Sequence, residues 1–269
     1  MSHVLQYEKR GHIAEFTFNR PEAHNALSPE MLCRFADALL DFEADDALRV
    51  AILSGAGLRA FCAGGDLGKT LPLLTGAREP EDDWDRRLLN DPCVMQVSSL
   101  CKFTPTKPLI AAVHGICVAA GAELLLATDI RIASQDARFA WPEVQRGLIP
   151  FAGSLTRLPS QIPYSKAMEL MLTGEAIDAQ QALAMGLVNY VTPTDEVLPL
   201  ARKLAARIAA NGPLAVREVK RTAIAAMGRP TQEGFELEAA AYHRIMGTDD
   251  AKEGPRAFME RRAPVYLGK

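Results

Sequence analysis

Apolar and polar positions along the chain fall into two regimes, a strand-and-helix alternation first and a helical period afterwards. Residues 13–18 and 50–54 are short runs rich in β-branched and aromatic side chains, bounded by Gly, Asn or Pro, and they predict strands. Between them Leu32, Phe35, Ala36, Leu39 and Glu43 follow the i, i+3, i+4, i+7 spacing of one helix face, apolar until the last. Ser28 is placed to cap that helix and Pro29 to occupy its first position, completing a β-α-β unit. Residues 109–113 and 130–133 repeat the pattern around a short helix beginning near Ala120, and 138–140 predict another brief strand. Such alternation implies a layered α/β core. From Val197 onward the period is helical over 197–210, 214–227, 232–246 and 249–261, broken at Asn211-Gly212-Pro213 and Arg229-Pro230. The expected organisation is a core over residues 1–196 and a helical region over 197–269, with little core of its own and suited to docking on another subunit. Residues 71–90, with Pro72, Gly76, Pro80 and a charged run over 78–87, read as an exposed insertion, either a lid or a solvated excursion.

Composition narrows the class. Of 269 residues 48% are hydrophobic and 23% charged, with 19 Gly and 17 Pro, which excludes fibrous and broadly disordered chains. The 30 basic and 33 acidic side chains leave a net charge of -3, so no global positive field gathers nucleic acid or an anionic membrane. Five cysteines (Cys33, Cys62, Cys93, Cys101, Cys117) without a C-x-x-C pair argue against a disulfide framework and a zinc site, and fit a reducing cytoplasm. Residues 1–10 carry no apolar stretch after a basic start, so no secretory leader is expected. The most apolar stretch, 109–127, is interrupted by His114, Gly115, Gly121 and Glu123, and reads as a buried strand, turn and helix rather than a membrane span.

Three familiar motifs fail on context. Gly55-Ala56-Gly57-Leu58-Arg59-Ala60 follows a strand as a dinucleotide fingerprint does, but Phe61-Cys62-Ala63-Gly64-Gly65 gives no helix to receive a pyrophosphate. Residues 63–70, A-G-G-D-L-G-K-T, fall one glycine short of a phosphate-binding loop, and Pro72 fits poorly in the helix that loop requires. His114 has no G-x-S-x-G elbow to serve, and reads as a hydrogen-bonded core or turn residue.

A different constellation carries chemistry. Small-residue turns at Ala63-Gly64-Gly65 and Ala119-Ala120-Gly121-Ala122 allow close backbone approach, and the second opens a helix whose N–H groups lack intrahelical acceptors. Two N–H groups converging on one oxygen form an oxyanion hole. Glu123, set among apolar residues on that helix, and Glu143, after Trp141-Pro142, are candidates to divide acid and base roles in one pocket. The plainer alternative is that Glu123 pairs with an arginine such as Arg131 and Glu143 caps a helix.

The segments N-R-P-E-A-H-N-A-L (19–27), A-F-C-A-G-G-D-L (60–67), K-P-L-I-A-A-V-H-G (107–115), and Pro142-Glu143 with Gly147-Leu148-Ile149-Pro150 resemble the crotonase (enoyl-CoA hydratase/isomerase) superfamily. The likeness continues through Leu172-Thr173-Gly174-Glu175 and residues 182–189 into the C-terminal helices. It implies an α/β fold, a crotonase-like ββα spiral core with a C-terminal helical trimerisation region, assembled as a trimer or a dimer of trimers. It implies that the Gly65 and Ala120 amides hold a thioester carbonyl, that Glu123 activates water, and that Glu143 protonates the α-carbon, giving a 3-hydroxyacyl-CoA. Ala23, His24, Ala26, Ala63, Asp66 and Leu67 are implied, with those two donor residues, to bind the acyl-CoA. Phe258, with Arg261 and Arg262, is implied to close a neighbouring subunit's site. No metal or redox cofactor is implied, since coenzyme A arrives with the substrate. The implied activity is enoyl-CoA hydration, with a Δ3,Δ2-enoyl-CoA isomerase or another acyl-CoA lyase as rival and a non-catalytic RNA-binding homologue as the remote one. The chain departs from the family pattern at Ala120, commonly glycine, at Glu22, often lysine, in Phe151-Ala152-Gly153-Ser154, and in the length of the 71–90 segment.

Overall fold

The computed structural model describes residues 4–269, so part of the leader expectation for residues 1–10 lies outside the described residues. Strands β1 (Leu5–Arg10), β2 (Ile13–Phe18) and β3 (Val50–Gly55) begin the first sheet, and β4 (Ala60–Cys62) begins the second. The chain then alternates, with β5 (Leu109–Val113) and β7 (Ile130–Ser134) joining the first sheet and β6 (Ile116–Val118) and β8 (Arg138–Ala140) the second. Strands β9 (Ile177–Asp178) and β10 (Tyr190–Thr192) complete the sheets, in the orders β4-β6-β8-β9 and β1-β2-β3-β5-β7-β10. Only the β1–β2 and β8–β9 pairs are antiparallel among the described strands. This stepping between two sheets, with helices closing the turns, is the expected ββα spiral.

The first closing helix, α1 (Pro29–Ala44), forms as its sequence dictates. The Ser28 hydroxyl accepts from the Met31 amide, Pro29 takes the first position, and Met31, Phe35, Leu39 and Phe42 lie fully buried. Phe35 meets Phe16 and Phe18 edge-on, locking the helix to β2. The last residue of its periodic stripe, Glu43, accepts from the Thr106 amide and hydroxyl, and Lys107, fully buried, donates from Nζ to the Phe42 and Asp45 carbonyls, 2.6 Å each. One ammonium thereby serves two carbonyls at the end of the helix.

Residues 71–90 are mostly exposed, as expected, but they are structured. They fold into α2 (Thr70–Leu74) and α3 (Asp83–Asn90), joined by a turn and followed by α4 (Pro92–Ser98), with Leu73 and Leu88 buried. Part of the charged run is anchored inward, Arg78 meeting Asp85 at 2.6 Å with Asp85 buried and Arg87 reaching Asp37 of α1 at 2.8 Å, while Glu79, Glu81, Asp82, Asp83 and Arg86 stay in solvent. Pro72 fits after all, because it occupies the first turn of α2, where an N–H has no intrahelical acceptor.

After β6 comes α5 (Ala120–Leu126), and beyond β8 lie α6 (Ser154–Gln161), α7 (Tyr164–Thr173) and α8 (Ala179–Ala184). The boundary placed between residues 196 and 197 falls inside α9 (Thr194–Ala209), whose Val197, Ala201, Ala205 and Ala209 pack on Val50, Ile52, Ile110 and Ile132. That helix covers the second face of the first sheet, which explains why its strands read as continuous apolar runs. The helices that stand off the core are α10 (Pro213–Ala226), α11 (Thr231–Met246) and α12 (Asp249–Met259). No helix among the described residues is long and apolar enough to cross a membrane.

Asn25 staples the segment ahead of α1 to the β3–β4 turn. Its Oδ1 accepts from the Arg20 amide at 2.9 Å, and its Nδ2 donates to the Ala56 and Ala60 carbonyls at 3.0 and 2.7 Å. Its backbone is left-handed, φ 56°, a conformation asparagine tolerates better than alanine. Asn25→Ala is expected to destabilise the fold by about 2–4 kcal/mol. The check is the urea midpoint, which should fall with an unchanged m value.

Candidate active site

Six of the residues singled out in the sequence, Ala63, Gly65, Leu67, Ala120, Glu123 and Glu143, line one largely apolar cavity of about 170 Å³. Its remaining walls come from Leu71 and Leu74 of α2, Met95 and Ser98 of α4, and the Leu148–Ala152 loop. Ala23, His24, Ala26, Asp66 and Phe258 do not line it.

The first donor turn is built by strand return. Past β4 the chain pairs with Leu27, whose amide donates to the Gly64 carbonyl at 2.8 Å while its own carbonyl accepts from Asp66 at 3.1 Å. The Asp66 carboxylate then accepts from the Gly68 and Lys69 amides, 2.9 and 3.0 Å, and from Arg20 at 2.8 Å. Asp66 thus closes the loop, and the amides that suggested phosphate binding are spent on it. The dinucleotide reading fails as well, because Ala60–Cys62 is a strand.

The second donor turn is pressed against the first. A Cβ on Gly64 would lie 2.7 Å from the Ala119 Cβ, and one on Gly121 would lie 2.3 Å from the Cys62 carbonyl oxygen. Only glycine permits either contact. Ala119 takes φ 52°, ψ -130°, a strained conformation for alanine that costs about 1–3 kcal/mol. Its amide donates to Ala140 at 3.0 Å, whereas the amides of Ala120 and Gly65 donate to no other group among the described residues. A Cβ on Gly65 would meet nothing within 4 Å, so this glycine leaves space beside its amide.

Glu123 is 2% exposed, on the inner face of α5. Its Oε1 accepts from the Ala152 amide at 2.8 Å and the Ser154 amide at 3.4 Å. Ser154 is itself fixed by the Trp141 indole, 2.7 Å from its hydroxyl, so one hydrogen bond links the loop that holds Glu123 to the stretch that carries Glu143. Pairing with Arg131 is excluded: that buried guanidinium donates to the Leu126, Thr128 and Leu187 carbonyls and to Gln161, securing the far end of α5. Glu143 sits in the 3-10 turn Pro142–Arg146, buried, with Oε2 unpartnered.

Burial pushes the Glu123 carboxyl up to about 7, the Glu143 charge adds to the rise, and the Ala152 and Ser154 amides oppose it. Burial also raises Glu143, against its own backbone hydrogen bond and Arg146. Both carboxyls are thereby raised above the ordinary carboxylate range, which suits them to exchange protons. Two unengaged amides and two buried carboxyls in one apolar cavity suit polarisation of a carbonyl coupled to proton transfer.

The sequence reading missed the parts that hold this site: Trp141, the amides of Ala152 and Ser154, Arg131 as a clamp, and the α4 wall. A tryptophan just after a strand and a serine thirteen residues on were the available signal for the first of these.

The profile of the enoyl-CoA hydratase/isomerase family matches residues 8–269. The enoyl-CoA hydratase EchA19 of Mycobacterium tuberculosis is 42% identical over 263 residues, covering 97% of this chain and 96% of that protein. The (E)-benzylidenesuccinyl-CoA hydratase of Thauera aromatica is 36% identical over 261 residues, covering 97% and 98%. A crystal structure of enoyl-CoA hydratase from Mycobacterium tuberculosis H37Rv superposes with a TM-score of 0.87 at 38% identity, covering 100% of both chains.

Because the carboxyl of Glu123 is raised from 4.5 to about 7 on folding, its ionisation takes nothing from stability below pH 4.5, and the loss grows from there until it levels off above about pH 7. Glu123→Gln is therefore expected to gain on the parent protein by up to about 3 kcal/mol between pH 4.5 and pH 8. Urea denaturation at the two pH values checks this, and a constant difference contradicts it.

Proposed function

Since the chain belongs to the enoyl-CoA hydratase/isomerase family of the crotonase superfamily, and is an enzyme, we propose that it hydrates the 2,3 double bond of an enoyl-CoA thioester. The observation that carries this reading is the pair of buried carboxylates, Glu123 and Glu143, in the cavity that Gly65 and Ala120 also line.

The thioester carbonyl oxygen takes the Gly65 and Ala120 amides, which are oriented by backbone and need no reorganisation as negative charge develops there. Glu123, its Oε1 anchored by two amides, accepts a proton from water as the oxygen attacks the β-carbon. Glu143, with no partner on Oε2, delivers a proton to the α-carbon of the resulting enolate. The product is a 3-hydroxyacyl-CoA. Amides polarise and carboxylates move protons, so the step asks for no metal or redox group, and coenzyme A enters with the substrate. The (E)-benzylidenesuccinyl-CoA hydratase is named for the same reaction type on a different acyl group.

Assembly as a trimer or a dimer of trimers is part of the reading. Val219, Phe235, Tyr242, Met246 and Phe258, all more than half exposed, give α10 to α12 an apolar surface. Arg262 is committed to Glu253 and Glu260, which leaves Phe258, 81% exposed, and the exposed Arg261 as the residues suited to reach a neighbour's site. Ala23, His24 and Ala26, on the segment that Asn25 staples, are proposed for the coenzyme A moiety outside the acyl cavity. The free cysteines fit a cytoplasmic setting.

Loss of enoyl absorbance with crotonyl-CoA and cinnamoyl-CoA tests the reaction. The parent protein is expected to hydrate at least one, and Glu123→Gln and Glu143→Gln each to lose about 10²–10⁴-fold in kcat while remaining folded. Full activity of Glu123→Ala would instead support a one-carboxylate isomerase. Sedimentation is expected to show a trimer or hexamer, and a monomer would remove the assembly.

A further inference from the structure

The cavity is closed on one side and open on the other. Leu32, Ser98 and Leu124 line it from the buried core, whereas Leu67, Leu74 and Phe151 line it and are also exposed, Phe151 by 60%. Three large apolar side chains thus stand partly in water where the cavity meets solvent, each with surface that an apolar occupant would cover. An apolar cavity of about 150 Å³ takes one benzene ring, so one of about 170 Å³ encloses an acyl group of roughly six carbons. A longer chain has only the rim to go to.

We infer that the enzyme takes uncharged, apolar acyl groups longer than the cavity encloses, and that Phe151 is the specificity residue on which their far end packs. This rests on the acyl-CoA reading and deepens it. Ala120, whose amide takes the carbonyl in that reading, and Glu123, which serves the β-carbon, are one turn apart on α5. The Glu123 carboxylate is anchored by the Ala152 amide at 2.8 Å, and Phe151 is the residue just before that amide. Carbonyl, β-carbon and the chain that the β-carbon bears therefore run from the donor turns toward the Phe151 ring. Leu67 follows the first donor turn and falls to the coenzyme A end, while Leu74 and Phe151 fall to the far end. An uncharged group is indicated because the cationic side chain of the lining, Arg146, sits in the turn that carries Glu143 and donates from Nη1 to the Pro142 carbonyl at 3.1 Å.

Titration calorimetry with saturated CoA thioesters, butanoyl to decanoyl, reads the acyl contacts without turnover. The parent protein is expected to gain affinity about two- to fourfold per methylene added beyond hexanoyl. Phe151→Ala is expected to lose most of that gain, lowering the decanoyl-to-hexanoyl affinity ratio about tenfold, while the hexanoyl-to-butanoyl ratio stays as in the parent. Affinity that peaks at six carbons or fewer marks a closed pocket and overturns the inference. So does equal weakening of every thioester by Phe151→Ala, which marks a structural role exerted through Ala152. Adipoyl-CoA is expected to bind more weakly than hexanoyl-CoA, and tighter binding overturns the uncharged class by showing that Arg146 takes a carboxylate. All three of these outcomes leave the acyl-CoA reading standing. Failure to bind any of the thioesters overturns that reading and the inference with it.

Discussion

Holding a carboxylate inside an apolar cavity is the constraint around which this molecule is arranged. A buried carboxyl either neutralises or is given donors, and Glu123 does some of each. Its helix is clamped at the start, where Gly121 lies on β4, and at the end, where Arg131 and Gln161 gather the last carbonyls. Its Oε1 is cradled by a loop that a tryptophan holds in place. Of the groups that make these contacts only Ala152 lines the cavity, yet without them the carboxyl would have no fixed position.

The same economy governs the two donor turns. Backbone amides become available to a ligand only when the chain has no other use for them, and the two sheets arrange this by taking the neighbouring groups: Leu27 takes the Gly64 carbonyl, and Ala140 takes the Ala119 amide. The proposed reactive centre is thus made of backbone and two carboxylates, while the rest of the cavity wall is made largely of side chains from α2, α4 and the loop after Glu143.

Strong local periodicity made β2, β3, β5, β7, α1 and α5 legible in the sequence, and the same apolar setting singled out Glu123. Two features escaped the sequence reading for one physical reason. The charged run over 78–87 is largely solvated, as its composition suggests, but a sequence does not show that Arg78 and Asp85 neutralise one another within it. Likewise α9 looked like the start of an appendage because its alanines are small, and only the facing valine and isoleucines of the first sheet show that small residues are what close packing there requires. Asp66 was legible as a site residue, but its carboxylate serves the loop. The Ala152 and Ser154 amides carry no side-chain signature for this role and were beyond reach of any reading by residue type.

The meeting of Gly64 and Ala119 bears on how such a protein changes over generations. With a methyl on one turn, the other has room for hydrogen alone, since a second methyl would come within 2.7 Å. Position 64 is held to glycine twice over, by that methyl and by its own left-handed backbone at φ 92°, with the Val118 carbonyl and the Ala120 amide close behind. A substitution there is closed whatever happens at 119, whereas the side chains of the α2 and α4 wall carry no such backbone constraint.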